Sequence, residues 1–369
     1  MSAFRRPRAV VVGATFGAVY AEALAAAHSP VELVGLVSNG SLASAMLADR
    51  LGVALYVGLD NLPDVDVAFV VVRAGVVGGD GTHICEQLLG RGIHVMQEQP
   101  VHADEILSLL RVAKSNSTFY MVNDFYSRVA SIHQFICAAQ ALGKISRIRY
   151  VHARSSIHVA YPLFTVLSHV VGPLTPARIM VPQRPESAES SFVAGRIVLG
   201  DVVVDLLIQN ELCANEPDNH ARLMHTITVG SDAGELVLAH THGSTRWHPR
   251  PRVEAAARQI AEPVGVSFEP TMAEVRNQLW PNAVRLAAAD FLEAVNRSRS
   301  LMSQRFVRAI RLWSDFTSAM GPATLIDPTP PVVVSPSELI ADSRRRPLLE
   351  GALSDDPRQI DPMNAAHNR

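Results

Sequence analysis

Lysine is almost missing from this chain of 369 residues: only Lys114 and Lys144 occur, and the other cationic side chains are arginines. That scarcity removes most candidates for a catalytic lysine. Cysteine is scarce as well. Cys85, Cys137 and Cys213 stand far apart with no Cys-x-x-Cys spacing, which argues against a disulfide framework or a zinc site and reads as reduced core thiols. Charge of one sign is also lacking. A formal net charge of −2 gives no electrostatic case for binding nucleic acid or an anionic membrane. No stretch approaches the ~20 apolar residues of a membrane span. Met1–Arg8 is basic, but the apolar run Ala9–Val12 is too short for a signal-peptide core, so the expectation is a cytoplasmic protein.

What is present is enough for a large core: 48% of residues are hydrophobic and 18% charged, over a length that suits two domains. Ala9–Val12 is a β-branched apolar run, the pattern of a buried parallel strand. Gly13-Ala14-Thr15-Phe16-Gly17-Ala18 follows, then an alanine-rich helix to about Ala27. Further strands are expected at Val31–Val37, Val67–Val72, Ile93–Met96 and Phe119–Asn123. Helices are expected at Ser41–Leu51, Thr82–Leu89 and Ala103–Ala113, and the loop Arg73–Gly81 carries four glycines. Strands alternating with helices predict a parallel, doubly wound sheet, a Rossmann domain over residues 1–124.

After Tyr126 the pattern changes. A helix at about Val129–Leu142 precedes strand-like runs at Ile145–Arg154, Phe192–Ile208 and Ala221–Leu238, with helical patterns at Met272–Arg297 and Ser303–Met320. Consecutive strands predict a mostly antiparallel open sheet in an α+β domain over 125–325. The proline-rich segment 326–369 reads as an extended or partly disordered tail.

A strand, a glycine turn and a helix make a place for phosphate, because helix-start N–H groups and the helix dipole both favour an anion. Against the dinucleotide pattern G-x-G-x-x-G/A, Gly13 fills the first position, Thr15 the second and Ala18 the third, with Gly17 beside it. The end of the second strand reads Val37-Ser38-Asn39-Gly40-Ser41-Leu42-Ala43-Ser44. An NAD site places a carboxylate there for the ribose 2′-OH, and here none occurs until Asp49. Ser38, Asn39, Ser41 and Ser44 are donors for a 2′-phosphate, so NADPH is the expected cofactor; Ser41 can also cap the next helix.

The fourth strand–helix turn is Gln97-Glu98-Gln99-Pro100-Val101-His102, preceded by Gly92-Ile93-His94-Val95. This resembles the Glu-Lys-Pro motif of the glucose–fructose oxidoreductase/inositol dehydrogenase (Gfo/Idh/MocA) family, and the order of elements fits that family to about residue 325. In its alcohol-oxidising members the lysine handles protons together with an Asp and a His four residues apart. Here Gln99 stands for the lysine, Thr165 for the Asp and His169 for the His.

A narrower resemblance is carried by Val11-Val12-Gly13-Ala14-Thr15-Phe16-Gly17, Val71-Val72-Arg73, Gly78-Gly79-Asp80-Gly81-Thr82, the Gln97–His102 turn and Val122-Asn123-Asp124-Phe125-Tyr126. Glu216-Pro217-Asp218-Asn219-His220 and His242-Gly243 with Trp247 add to it. These runs look like the thiazolinyl imine reductases of siderophore assembly, of the yersiniabactin and pyochelin type. The resemblance implies NADPH-dependent reduction of a thiazoline C=N to a thiazolidine, on an intermediate tethered to a peptide-synthetase carrier domain. Hydride adds to the imine carbon and one general acid protonates the nitrogen. In the subfamily the middle residue of Glu-x-Pro and the tyrosine of the Asn-x-Phe-Tyr run are considered for that acid.

Gln99 has no useful acidity, which leaves Tyr126, His102 or water. Each candidate has a structural alternative: Tyr126 as a domain-interface anchor, His102 as helix-start packing, His169 as a buried core histidine rather than a substrate contact. Glu98 and Pro100 shape the turn or touch the nicotinamide side, Gln99 orients substrate, and Arg73 contacts cofactor or forms an ion pair. His240, His242 and His248 lack the Cys or carboxylate companion that zinc usually has. A homodimer through the second sheet is expected. The competing functional readings are a sugar or cyclitol oxidoreductase of the broad family, and a catalytically silent NADP-binding protein.

Overall fold

The computed structural model describes residues 5–75, 78–182, 190–213, 215–216, 220–251, 259–267, 269–330 and 332–340. Pro217, Asp218 and Asn219, part of the resemblance above, lie outside them. The chain divides into two units, Met1–Ile326 and Asp327–Arg369.

The first unit opens with the alternating series. Its elements are β1 (Arg8–Val12), α1 (Gly17–Ala25), β2 (Glu32–Ser38), α2 (Leu42–Leu51), β3 (Ala54–Val57), β4 (Val67–Val70), α3 (Gly81–Gly90), β5 (His94–Glu98), α4 (Ala103–Ser115) and β6 (Tyr120–Asn123). The six strands are parallel and ordered β3-β2-β1-β4-β5-β6. The order reverses between β1 and β4, and in such sheets ligands bind there, at the carboxyl ends of the strands. Central strands are apolar throughout because both faces are covered: β1 and β4 bury nearly every side chain. The edge strand β3, absent from the expectations above, is four residues long and only partly buried, so it carries no strong apolar signal.

The second half runs α5 (Ala130–Ile145), β7 (Ile148–Ser156), α6 (Ala160–Val170), β8 (Ala177–Met180), β9 (Phe192–Leu199), β10 (Val202–Gln209) and β11 (Glu211–Leu212). It continues with β12 (His225–Ser231), β13 (Gly234–Leu238), β14 (Thr245–Pro249), β15 (Glu262–Val264), α7 (Met272–Glu274), α8 (Trp280–Asn296), α9 (Gln304–Met320) and β16 (Thr324–Leu325). Eight strands form an open sheet, β15-β14-β13-β12-β7-β10-β9-β8, antiparallel except where β7 pairs with β10. The runs expected as single long strands at Phe192–Ile208 and Ala221–Leu238 are hairpins. In the first, Gly200 takes a φ of +59° at the bend.

Helices from the second half complete the first. Ala283, Val284, Ala287, Ala288 and Phe291 of α8 pack with Val19, Tyr20 and Leu24 of α1 on one face of the parallel sheet. On the opposite face, Phe306, Val307 and Ile310 of α9 join Ile106 and Leu109 of α4. The other side of α9, with Leu312 and Phe316, packs against Phe164 of α6 over the second sheet. One helix thus carries two apolar stripes and seals two cores. Among the described residues no helix is long and apolar enough to cross a membrane. The second unit holds a five-residue helix, α10 (Pro336–Ile340), within the proline-rich tail.

Candidate active site

The site begins at the turn after β1. Gly13 has φ +103°, and a Cβ there would lie 2.4 Å from the Val71 carbonyl oxygen, so only glycine lets β1 and the β4 loop approach this closely. Helix α1 starts at Gly17 with no side-chain cap at Phe16 and no acidic residue in its first turn. A helix start without a side-chain cap suits an anion. Gly13, Ala14, Thr15, Phe16 and Gly17 fit a dinucleotide pyrophosphate. A second glycine-dependent loop faces this one: Gly81 donates its N–H to the Arg73 carbonyl at 2.8 Å, and a Cβ on Gly81 would sit 2.3 Å from the Val72 carbonyl oxygen. Arg73 is exposed beside it and makes no ion pair among the described residues.

At the end of β2, Ser38 Oγ accepts the Gly40 N–H at 3.1 Å, and Asn39 Oδ1 accepts the Ser41 N–H at 3.2 Å. Ser41 is the N-cap of α2. Ser38 and Asn39 thus brace the Gly40 turn with local bonds to its backbone. Ser44 is a correction: it is buried, and its hydroxyl lies 2.9 Å from Ser41 Oγ, which removes it from the phosphate-facing donors.

The Glu-x-Pro turn ends β5. Glu98 is buried, and its carboxyl accepts from the Tyr20 hydroxyl. Asn123 Nδ2 donates to the Tyr20 oxygen at 2.6 Å. Burial pushes the Glu98 pKa to about 8, so its carboxyl is protonated at neutral pH. The role this supports is positioning of the turn. Gln99 and Pro100 are half-buried, and Gln99 Oε1 has no hydrogen-bond partner among the described residues. His102 is the N-cap of α4: Nδ1 accepts the Asp104 N–H at 3.3 Å and Nε2 lies 3.1 Å from Ser314 Oγ. A ring engaged at both nitrogens caps a helix, which favours the helix-start alternative for His102 over the acid.

Asp124 directly follows β6. Burial alone would raise its pKa, but His169, Arg128 and Ser127 outweigh that and hold it at about 2. Arg128 lies 2.6 Å from Asp124 and 2.9 Å from Asp290 on α8. His169 Nε2 is 3.9 Å from Asp124 Oδ2, and its side chain is 41% exposed. It is therefore not a core histidine, and it stands where second-half residues meet the carboxyl edge. Thr165 is fully buried and donates to its own helix, to the Pro162 carbonyl at 2.9 Å. It cannot act for a carboxylate.

Tyr126 lies on a short 3-10 turn, Phe125–Arg128, immediately beyond β6. Its ring meets His225 of β12 edge-on at 5.3 Å, so both halves of the first unit hold it. Nearby, Trp280 Nε1 donates to His242 Nε2 at 3.1 Å, and the Trp280 ring packs at 5.8 Å from Phe16 of the first turn. This engagement uses His242 as an aromatic-pair acceptor. Reading the sequence missed Tyr20, Arg128, His225 and Trp280. A polar ring within the apolar, alanine-rich α1 was the one available signal, for Tyr20.

Residues 7–124 match the model of the oxidoreductase family with an NAD-binding Rossmann fold, Gfo/Idh/MocA. Residues 147–248 match the model of the thiazolinyl imine reductase Irp3-like C-terminal domain. No curated protein sequence matches the chain. Among solved structures, the fold is similar to UDP-N-acetylglucosamine 3-dehydrogenase from Acidithiobacillus ferrooxidans, at 15% identity over 85% of this chain and 97% of that one, with a TM-score of 0.62. It is also similar to Synechocystis biliverdin reductase in complex with biliverdin and NADP+, at 15% identity over 85% of this chain and 99% of that one, with a TM-score of 0.60.

Proposed function

We propose that this chain, an NAD(P)-dependent oxidoreductase of the Gfo/Idh/MocA type with an Irp3-like second domain, reduces a thiazoline C=N to a thiazolidine with NADPH. The observation that carries the reading is at the proton-handling positions. Gln99 replaces a lysine, Thr165 is tied to its own helix, and Tyr126 stands at the carboxyl edge held from both halves. Alcohol oxidation needs a base to take the hydroxyl proton, and two of the three residues that handle it in the alcohol-oxidising members, the lysine and the Asp, are replaced here, leaving His169 alone. Imine reduction needs only a donor.

NADPH, held by Gly13–Gly17 and the end of β2, would supply the hydride for the imine carbon. The Tyr126 hydroxyl gives its proton to the imine nitrogen, and the phenolate is reprotonated from water, so the overall step consumes one NADPH and one proton. A phenol O–H is a workable donor to a nitrogen that becomes basic on reduction. Glu98 shapes the turn, while Gln99 and His169 orient the ring of the substrate. The carboxylate-free end of β2, with Ser38, Asn39 and Ser41, supports NADPH over NADH, with Arg73 as a second cofactor contact. The substrate is tethered to a peptide-synthetase carrier domain, and a second copy covers the exposed face of the large sheet, where Leu207 is 42% exposed.

The test is direct. The protein is mixed with NADPH and a small thioester bearing an aryl-thiazolinyl-thiazoline, and loss of absorbance at the reduced nicotinamide band is followed. Turnover with NADPH well above NADH is expected. Oxidation of sugars or cyclitols with no imine turnover would overturn the reading, and binding of NADPH without any turnover would favour a silent cofactor-binding protein.

A further inference from the structure

His225 is buried at the start of β12, and every polar atom of its ring is occupied. Nε2 lies 2.8 Å from the Val159 carbonyl oxygen, which can only accept, so Nε2 carries the hydrogen. Nδ1 lies 3.2 Å from Thr241 Oγ1, and the same oxygen accepts the His225 backbone N–H at 2.8 Å. The Thr241 hydroxyl hydrogen is therefore left for Nδ1. The Thr241 carbonyl is held in turn by the Ser131 hydroxyl at 2.6 Å. Burial pulls the His225 pKa down to about 4, which keeps the ring neutral through the physiological range.

The ring so fixed faces one group that the proposed chemistry needs: the Tyr126 ring, at 5.3 Å and 82° between planes. A phenyl or aliphatic side chain would fill this space without the cost of burying an imidazole. The hydrogen bonds allow this ring a single orientation, and the edge-on contact passes that orientation to the phenol. The segment that carries Thr241 is anchored on its far side too, through the Trp280–His242 bond.

We propose that His225, locked by Thr241 and the Val159 carbonyl, is a positioning residue that fixes the ring of Tyr126 for proton transfer. This rests on the reading of Tyr126 as the donor, and the experiment separates the two. His225→Phe keeps a flat ring of similar size and removes its polar partners; Thr241→Val leaves the imidazole and removes only the bond at Nδ1. Both are compared with wild type in NADPH-driven reduction of the aryl-thiazoline thioester. In parallel, the six tyrosines are labelled with ¹³C at Cζ, and the Tyr126 resonance is assigned by its loss in Tyr126→Phe.

The expected result is a fall in kcat of about 10- to 100-fold for His225→Phe and a smaller fall for Thr241→Val, because a displacement on the order of 1 Å costs that much. KM for NADPH should stay within twofold, and the Tyr126 resonance should shift or broaden in both variants. An unchanged resonance in folded variants overturns the proposal, and so does a shifted resonance with unchanged kcat. If His225→Phe fails to fold, Thr241→Val decides by the same criteria. If wild type reduces no thiazoline, the functional reading falls by itself while the resonance still tests the positioning.

Discussion

Three buried groups differ in kind: an acid, Glu98, at the carboxyl edge of the parallel sheet, and two bases, His225 and His242, against the second sheet. Burial holds all three in their uncharged forms, moving the acid up to about 8 and the two histidines down to about 4. The two regions also differ in what makes their surface. The first presents backbone, through the glycine turns at Gly13 and Gly81, and so suits a phosphate-bearing cofactor that is bound by N–H groups. The second presents oriented side chains, through the Val159–His225–Thr241 and Trp280–His242 contacts, and so suits a group that must be aimed. On the proposed function, a two-part site would divide its work accordingly: mainly backbone for the pyrophosphate, side chains for chemistry.

The division is most exposed at Tyr126. Tyr126→Phe should lower kcat by about 10²- to 10⁴-fold, the usual contribution of a positioned general acid, with NADPH affinity nearly unchanged. A titration of NADPH alongside the turnover assay checks both halves of that statement. Equal losses in affinity and turnover would erase the proposed division. The reverse pattern is expected at the end of β2. Asn39→Asp places a carboxylate where a 2′-phosphate is expected and should weaken NADPH on the order of a hundredfold through like-charge repulsion, improving NADH relative to it. Fluorescence titrations with both dinucleotides would show it, and an unaltered preference would remove this turn from the cofactor site.

Acid and base limits of stability sharpen the contrast further. Glu98 binds its proton more tightly folded than at its ordinary value of 4.5, so its contribution is full below that value and is lost as pH rises through about 8. His225 and His242 bind theirs more weakly folded, so their contribution is full above 6.5 and is lost as pH falls through about 4. Melting temperature should therefore peak between these limits. Glu98→Gln should flatten the alkaline limb, by on the order of 5 °C across it, and steepen the acid limb between 4.5 and 6.5, where the Glu98 and histidine contributions oppose one another. An alkaline limb identical to wild type would mean that Glu98 is ionised already. The smallest effect belongs to Ser41→Ala, which loses the α2 N-cap and should cost about 1 kcal/mol in chemical denaturation, with turnover at saturating NADPH unaffected.

Much of the first half was open to reading because its logic is local. A glycine turn between an apolar strand and an alanine-rich helix announces itself within ten residues, and the absence of a carboxylate after β2 is a fact of the sequence. Two of the candidates are instructive. Ser44 and His102 carry the right atoms, but helix geometry spends them on Ser41 and on the start of α4. Competition from the chain's own backbone is invisible until the turn is built. Tyr20 and Arg128 escaped notice for a different reason: their partners, Glu98 and Asp290, lie 78 and 162 residues away.

By itself the sequence determined the parallel alternating half, the antiparallel second half and the glycine turn between β1 and α1, since hydrophobic period and turn chemistry act over a few residues. Tertiary structure alone decided that α8 and α9 return to cover the parallel sheet, that the strand-like runs fold into hairpins, and that His225 meets Tyr126. Those outcomes depend on which apolar stripes find one another across distant segments, and burial energy, being non-directional, leaves no mark of the partner in either stripe.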